Sequence, residues 1–248
     1  MAKRFRADVL VAGQGLVESV EQASRLIMAG KVAALDASGN AAPVRKPGQP
    51  FTEAARFELV GVERFVSRGA YKLLSALEAF SLDVSGLVCL DAGASTGGFT
   101  DCLLQYGAAR VYAVDVGKAQ LHERLRGDSR VVSLEGVNLR LAEPDLIPEP
   151  VDLVVADVSF ISLTKILPPC LRWLRPGGQL IALIKPQFEL GSQHTDKGVV
   201  RDPALRDQAV RSVTTFCTET LGLTHGGTAP AAIKGPKGNQ EYLAWFRT

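Results

Sequence analysis

The sequence predicts an α/β protein, with a mostly parallel sheet covered by helices on both faces and a small α+β unit ahead of it. Three observations carry this prediction. From about residue 67 onward, apolar runs of strand length alternate with amphipathic segments, the pattern of strands buried on both sides. A glycine-rich turn, "LDAGASTGGFT", follows the first of these runs and opens a helix. The first sixty residues have a shorter rhythm punctuated by proline and glycine, which sets them apart as a unit of their own.

In residues 1–62, "ESVEQASRLIMAGKV" reads as a helix. Ser19 is placed to cap it, Ala23, Leu26 and Ile27 form its apolar stripe, and Gly30 stands where a left-handed end is expected. The strand "KVAAL", the turn "DASGN", the punctuated "PVRKPGQPF" and the strand "ARFELV" complete a helix-and-hairpin unit. Residues 63–67 are expected to be a linker, and 68–248 the main domain. "SRGAYKLLSALEAF" has helical period, with Leu73, Leu74, Leu77 and Phe80 on one side. Seven strands follow: "GLVCLDAG", "ARVYAVDVG", "RVVSLEG", "VDLVVADVS", "GQLIALIK", a segment after Leu221, and "EYLAWF". The helices between them are expected in "FTDCLLQYG", "KAQLHERLRG", "ISLTKILPPCLRWLRPGG" and "RDPALRDQAVRSVTTFCTETLG". The stretch around "TAPAAIKGPKGNQEYLAWF" reads as a hairpin that adds an antiparallel strand.

Composition narrows the function classes. With 46% hydrophobic and 22% charged residues, the chain is of ordinary globular type. Its apolar runs are far shorter than the roughly 20 residues a membrane span needs. The basic amino terminus lacks the apolar core and cleavage site of a secretory leader, so a cytoplasmic protein with no membrane partner is expected. Cys89, Cys102, Cys170 and Cys217 form no C-x-x-C pair, and His122, His194 and His225 are scattered. Neither a metal site nor a disulfide framework is expected. The net charge of +2 is uneven: residues 1–72 carry 11 Lys and Arg against 7 Asp and Glu, a net of +4. A basic front on a near-neutral body points to a polyanionic partner.

The glycine turn predicts a ligand site at the carboxyl end of the first strand. Its spacing is G-x-x-x-G-G, not the dinucleotide G-x-G-x-x-G, and it lacks the Gly-Lys-Ser/Thr of a phosphate loop. Asp91 precedes the turn, and Asp115, followed by Val116, ends the second strand. A carboxylate there can accept both ribose hydroxyls of an adenosine-type cofactor. A glycine platform without a phosphate cradle suits S-adenosyl-L-methionine, which is cationic and carries no phosphate. The expected donor residues are Asp91, Gly93, Ala94, Ser95, Thr96, Gly97, Gly98, Asp115, Val116, Asn138 and Asp157. The bland alternative is a capping Asp and a turn that packs strand on helix.

Asp157 ends the fourth strand and Lys185 the fifth, so both tips open on the same crevice. Lys72 lies in the helix that leads into the domain, and Glu241 begins the last strand. A ribose 2′-hydroxyl is a very weak acid, so a methyl acceptor of that kind needs a group to take its proton. A lysine serves if desolvation or a neighbouring cation lowers its pKa. Lys185 follows five apolar residues and precedes a proline with no N–H, which makes it the candidate base. Each residue alone is more simply read as a solvated or capping group; their convergence lifts the reading.

"DAGASTGGFT", "DVSF", "LIKPQFE" and "NQEYL" resemble the motifs of FtsJ-like RNA 2′-O-methyltransferases. "YK" preceded by "FVSRGA", together with the front unit, is similar to the TlyA (haemolysin A) group of rRNA methyltransferases, and the resemblance covers nearly the whole chain. It implies a Rossmann-like, class I methyltransferase domain with a seven-stranded sheet, and a Lys-Asp-Lys-Glu tetrad at Lys72, Asp157, Lys185 and Glu241. It also implies an S4-like RNA-binding front domain. The expected activity is methylation of cytidine 2′-hydroxyls in 16S ribosomal RNA, 23S ribosomal RNA or both, free or within ribosomal subunits. "RADVLVAGQG" and Asp36 depart from the usual front-domain pattern, which touches RNA grip and not the chemistry. Arg4, Arg6, Arg25, Lys31, Arg45, Lys46 and Arg68 are the expected RNA contacts, holding phosphates without reading sequence.

Three rivals fit less of the sequence. Methylation of an exocyclic amine matches "DVSF" poorly, because both prolines of that motif are missing and an amine needs no lysine base. Base C5 methylation needs a nucleophilic Cys beside the donor, and Cys170 lies far along the next helix. A membrane-lytic protein would need a span or a strongly amphipathic basic helix. A non-catalytic RNA-binding or ribosome-assembly protein on the same fold stays open, as does the oligomeric state.

Overall fold

The computed structural model describes residues 3–248 apart from Glu18, Ala37 and Val62. The chain forms two compact units, Met1–Arg64 and Phe65–Thr248.

In the first unit, β1 (Arg4–Arg6) leads directly into α1 (Ala7–Gly13), then α2 (Val20–Met28), β2 (Val32–Leu35), β3 (Ala41–Pro43), β4 (Pro50–Thr52) and β5 (Arg56–Leu59). β1 pairs antiparallel with β4, and β2 pairs antiparallel with both β3 and β5. Ser19 caps α2 by accepting the Gln22 amide at 3.2 Å, and Gly30 takes φ +70° past its end. The sequence reading proposed no element at α1. That helix turns Ala7 and Val11 against Ala23, Ile27, Val32, Val44 and Phe57 in a small core.

The second unit begins at Phe65, so the expected linker over 63–67 does not stand apart. Phe65 is buried in the main core, and the Val66 amide donates to Asp101 Oδ2 at 2.7 Å. There follow α3 (Ala70–Ala79), β6 (Val88–Ala92), α4 (Gly98–Gln105), β7 (Arg110–Asp115), α5 (Glu123–Arg126), β8 (Val131–Glu135), β9 (Val151–Ala156), α6 (Leu163–Leu171), β10 (Leu174–Ile184), α7 (Pro186–Glu189), α8 (Pro203–Thr215), β11 (Thr224–Pro230) and β12 (Tyr242–Arg247). The seven strands lie in the order β11-β12-β10-β9-β6-β7-β8. β10, β9, β6, β7 and β8 are mutually parallel, and β12 is antiparallel to both its neighbours. Two buried apolar clusters cover the faces: Leu73, Leu77, Leu103 and Leu153 belong to one, Leu90, Val154, Leu167 and Leu180 to the other.

Three expectations are corrected. The helix expected in "KAQLHERLRG" shrinks to α5, because Glu135 accepts the amides of Ala119, Gln120 and Leu121 and holds them in a loop. The helix expected through "LRPGG" stops at Leu171, and Leu174 already starts β10, whose pairing with β9 is irregular between Leu174 and Gln179. The last long helix changes to a wider π-type turn over Phe216–Thr220.

Candidate active site

Strand order reverses between β6 and β9, and the crevice at their carboxyl ends is where ligands bind in such sheets. A cleft of about 480 Å³ opens there, lined by Gly93, Ala94, Ser95, Thr96 and Gly98 of the glycine turn and by Lys72, Asp157 and Lys185. Gly93 takes φ +89°, and a Cβ on it would meet the Asp157 carbonyl oxygen at 2.7 Å. The turn therefore requires glycine both for conformation and for close approach. A Cβ at Gly98 would stand 2.9 Å from the Ala70 nitrogen, so the start of α4 packs directly on α3.

Asp91 lies wholly buried beneath the turn. Its Oδ2 accepts from Thr100 Oγ1 at 2.7 Å, and its Oδ1 has no partner among the described residues. Burial pushes this carboxyl up to about 7, with the Thr100 hydroxyl working against the shift. An acceptor left unmatched in a buried site is the kind of group a cationic ligand satisfies. Asp115 accepts the Ser95 amide at 2.8 Å and the Gly117 amide at 2.7 Å, one on each oxygen. Each carboxylate oxygen retains a further lone pair for a hydroxyl donor. Val116 stands beside it, 71% exposed. Gly97 packs on Leu121 and Leu125, away from the cleft lining. Asn138 is exposed, accepts the Arg140 amide, and is not part of that lining.

The four expected reacting residues are brought together as two ion pairs. Lys72 Nζ donates to Glu241 Oε2 at 2.7 Å, and Lys185 Nζ stands 2.6 Å from Asp157 Oδ1 while donating to Ser159 Oγ at 2.8 Å. Lys72 and Lys185 are 8% and 6% exposed and Glu241 is fully buried. Gly235 packs on the Glu241 carboxylate so closely that a Cβ would stand 2.0 Å from Oε1. Buried ion pairs contribute little net stability, because desolvation offsets their attraction. Two such pairs at one glycine-lined cleft, one buried and one partly open, therefore point to chemistry.

Residues the sequence reading missed complete the walls: Ser67, Gly69, Phe99, Ser159, Ile233, Lys234, Gly235 and Pro236. Only the glycine among "IKGP" carried a local signal. A second cavity of about 640 Å³ lies alongside, with Arg140, Phe160, Lys165, Gln187 and Phe188 in its wall. Phe160 is 91% exposed, takes φ +63°, and its ring centroid lies 5.1 Å from that of Phe188. A large apolar ring held out in water by an unfavourable backbone is not a packing residue.

Arg68 lines the cleft. Of the other expected RNA contacts, Arg4, Arg25, Lys31, Arg45 and Lys46 are exposed on the first unit. The Arg6 guanidinium is held by both carboxylate oxygens of buried Asp8, at 3.0 and 2.6 Å, so part of its charge is already spent. Cys170 is buried in the core, where desolvation pushes its thiol up to about 12; it is no nucleophile. Among the described residues no cluster of three metal-ligating side chains occurs, and no helix is long and apolar enough to cross a membrane.

Residues 65–248 match the FtsJ-like methyltransferase family. The chain is 45% identical over its full length to the 16S/23S rRNA (cytidine-2′-O)-methyltransferase TlyA of Mycobacterium tuberculosis, covering 91% of that protein. It is 43% identical to a solved Streptococcus thermophilus protein named as a hemolysin, with a TM-score of 0.73 over all of this chain and 90% of that one. At 21% identity it shares the fold alone with the N-methyltransferase NodS of Bradyrhizobium japonicum in complex with S-adenosyl-L-homocysteine, with a TM-score of 0.51 over 73% of this chain and 86% of that one. With Lys72, Asp157, Lys185 and Glu241 gathered at its sheet edge and this full-length likeness, the chain belongs to the TlyA (hemolysin A) group of FtsJ-like methyltransferases.

Proposed function

We propose that this protein transfers a methyl group from S-adenosyl-L-methionine to the ribose 2′-hydroxyl of a cytidine in ribosomal RNA. The observation that carries the reading is the pair of lysine–carboxylate contacts, buried Lys72–Glu241 and the partly open Lys185–Asp157, at a glycine-lined cleft. When bound, the donor supplies an electrophilic methyl on a cationic sulfur. Gly93, Ala94, Ser95, Thr96 and Gly98 would hold its amino-acid portion, with Asp91 beneath, and Asp115 and Val116 its adenosine.

The rest of the work falls to the chain. Lys185 Nζ is the group that takes the proton of the acceptor hydroxyl, and Asp157 holds the ammonium that results. Ser159 Oγ fixes the direction of that nitrogen through its 2.8 Å hydrogen bond. Lys72, held by Glu241, is the second cation at the cleft and favours negative charge developing on the acceptor oxygen. A ribose presented to both lysines is committed by position as much as by proton transfer. Phe160 offers a stacking face to an unpaired base, the usual way single-stranded RNA is gripped. The first unit is read as an S4-like module that binds RNA phosphates through Arg4, Arg25, Lys31, Arg45 and Lys46, with ribosomal subunits as the partner and the cytoplasm as the compartment.

Labelled-donor transfer to ribosomes, isolated subunits and naked rRNA, followed by mapping of the modified nucleotide, tests the reading directly. Ribose-methylated cytidine is expected, and methyl on a base would overturn it. Lys185→Ala is expected to lower turnover by at least about 100-fold, the scale of general-base loss, while donor affinity by calorimetry stays within about 2-fold. Undiminished transfer in that variant would leave a non-catalytic RNA-binding role for the lysine array.

A further inference from the structure

Residues 185–189 and 157–163 run past each other at the carboxyl edge of the sheet and are laced together along their length. At one end Lys185 meets Asp157 and Ser159. In the middle Phe188 meets Phe160. At the far end Glu189 Oε2 accepts from Ser162 Oγ at 2.6 Å and Oε1 accepts the Leu163 amide at 2.9 Å. Glu189 lines neither cavity. It is mostly withdrawn from water, and that burial raises its carboxyl above the usual range.

The turn it holds is under backbone strain. Phe160, two residues before Ser162, takes φ +63°, a conformation that persists for a bulky residue only when its surroundings over-determine it. Upstream of Phe160, Lys185 ties the side chains of Asp157 and Ser159, and the Asp157 amide donates to the Ala92 carbonyl at 3.0 Å. Downstream, Glu189 ties Ser162 Oγ and the Leu163 amide, beside the capping bond from the Thr164 amide to Ser162 Oγ. A carboxylate accepting a hydroxyl and an amide on its two oxygens is a stiff clamp.

We propose that Glu189 is a positioning residue for methyl transfer. By anchoring Ser162 and Leu163 it fixes the Asp157–Phe160 turn, and through Asp157 and Ser159 it fixes the direction of Lys185. The inference rests on the function proposed above. The bland alternative, that Glu189 only stabilises the start of α6, predicts a loss of melting temperature without a selective loss of turnover.

The test uses full-length Glu189→Ala, Glu189→Gln and Lys185→Ala side by side. Glu189→Ala is expected to lower kcat by about 10- to 100-fold, as small misplacements of a reacting group do, with donor affinity within about 2-fold. Hydrogen exchange across residues 157–163 should accelerate in the same variant, since the Leu163 amide loses its acceptor. Glu189→Gln should recover most of the turnover, because its amide can still accept from Leu163 and donate to Ser162 Oγ. Ser162→Ala removes one of the two bonds and should give an intermediate kcat even if Glu189→Ala folds poorly. The inference is overturned if Glu189→Ala keeps its kcat, if Glu189→Gln is as defective as Glu189→Ala, or if donor affinity falls in step with turnover. Transfer lost in Lys185→Ala but kept in Glu189→Ala sinks the clamp alone. Transfer kept in Lys185→Ala sinks Lys185 as the base, and with it the group the clamp would aim, whereas methyl found on a base in the parent protein sinks the proposed function.

Discussion

Asp91 shows how much a single residue can ask of its surroundings. Its Oδ2 has a hydroxyl donor and its Oδ1 none, and burial raises its folded-state pKa from an ordinary carboxylate value to about 7. A carboxyl whose pKa is raised on folding contributes stability below its unfolded value and loses it as pH climbs through the folded one. The ligand-free protein should therefore lose stability between about pH 4 and pH 7, by an amount on the order of a few kcal/mol. Asp91→Asn cannot ionise and escapes that loss. Its melting temperature relative to the parent should rise by several degrees between about pH 5 and pH 8, at roughly 2–4 °C per kcal/mol. A difference flat with pH would show that Asp91 is not held in the protonated range. Lys185, by contrast, was legible together with Asp157: five apolar neighbours located it and the strand tips put the two at one crevice, while only the fold supplied their 2.6 Å contact and the bond to Ser159.

At the scale of elements, the glycine turn between β6 and α4 is the most constrained piece of the molecule. Gly93→Ala would put a Cβ against the Asp157 carbonyl at 2.7 Å in a left-handed backbone, which costs about 1–2 kcal/mol before the clash is counted. We expect donor affinity to fall by more than about 10-fold, with a lowered melting temperature, measured by calorimetry and thermal unfolding. Retained affinity would mean that the turn does not hold the donor. The inner strands of the sheet were readable because each carries a contiguous apolar run, a property of neighbours in sequence; β11, THGGTAP, carries none. The region before α5 was not: the amides of Ala119, Gln120 and Leu121 go to Glu135, a carboxylate fourteen to sixteen residues away on β8. Nothing in local periodicity announces such a competitor.

For the whole molecule, the basic excess of the front unit becomes a quantitative expectation. Arg45 and Lys46 are exposed, and replacing both by Ala should weaken binding to rRNA and reduce the salt dependence of that binding by about one per lost phosphate contact. Donor affinity should be untouched. Salt dependence identical to the parent would remove these two residues from the RNA contact. Arg6 should matter less than its neighbours, because Asp8 already occupies its guanidinium with two hydrogen bonds.

The sequence by itself determined the α/β class, the break into two units, the glycine turn and the residue types at each strand tip. All of these follow from periodicity and turn chemistry within a few residues. What only the tertiary structure decided is who meets whom. Lys72 and Glu241 are 169 residues apart, and they pair because α3 packs under the sheet where β12 inserts antiparallel between β10 and β11. The clamp of Glu189 on Ser162 and Leu163 likewise spans the tips of two neighbouring parallel strands. Strand order sets those meetings, and strand order is a property of the whole sheet's packing that no local window of sequence contains.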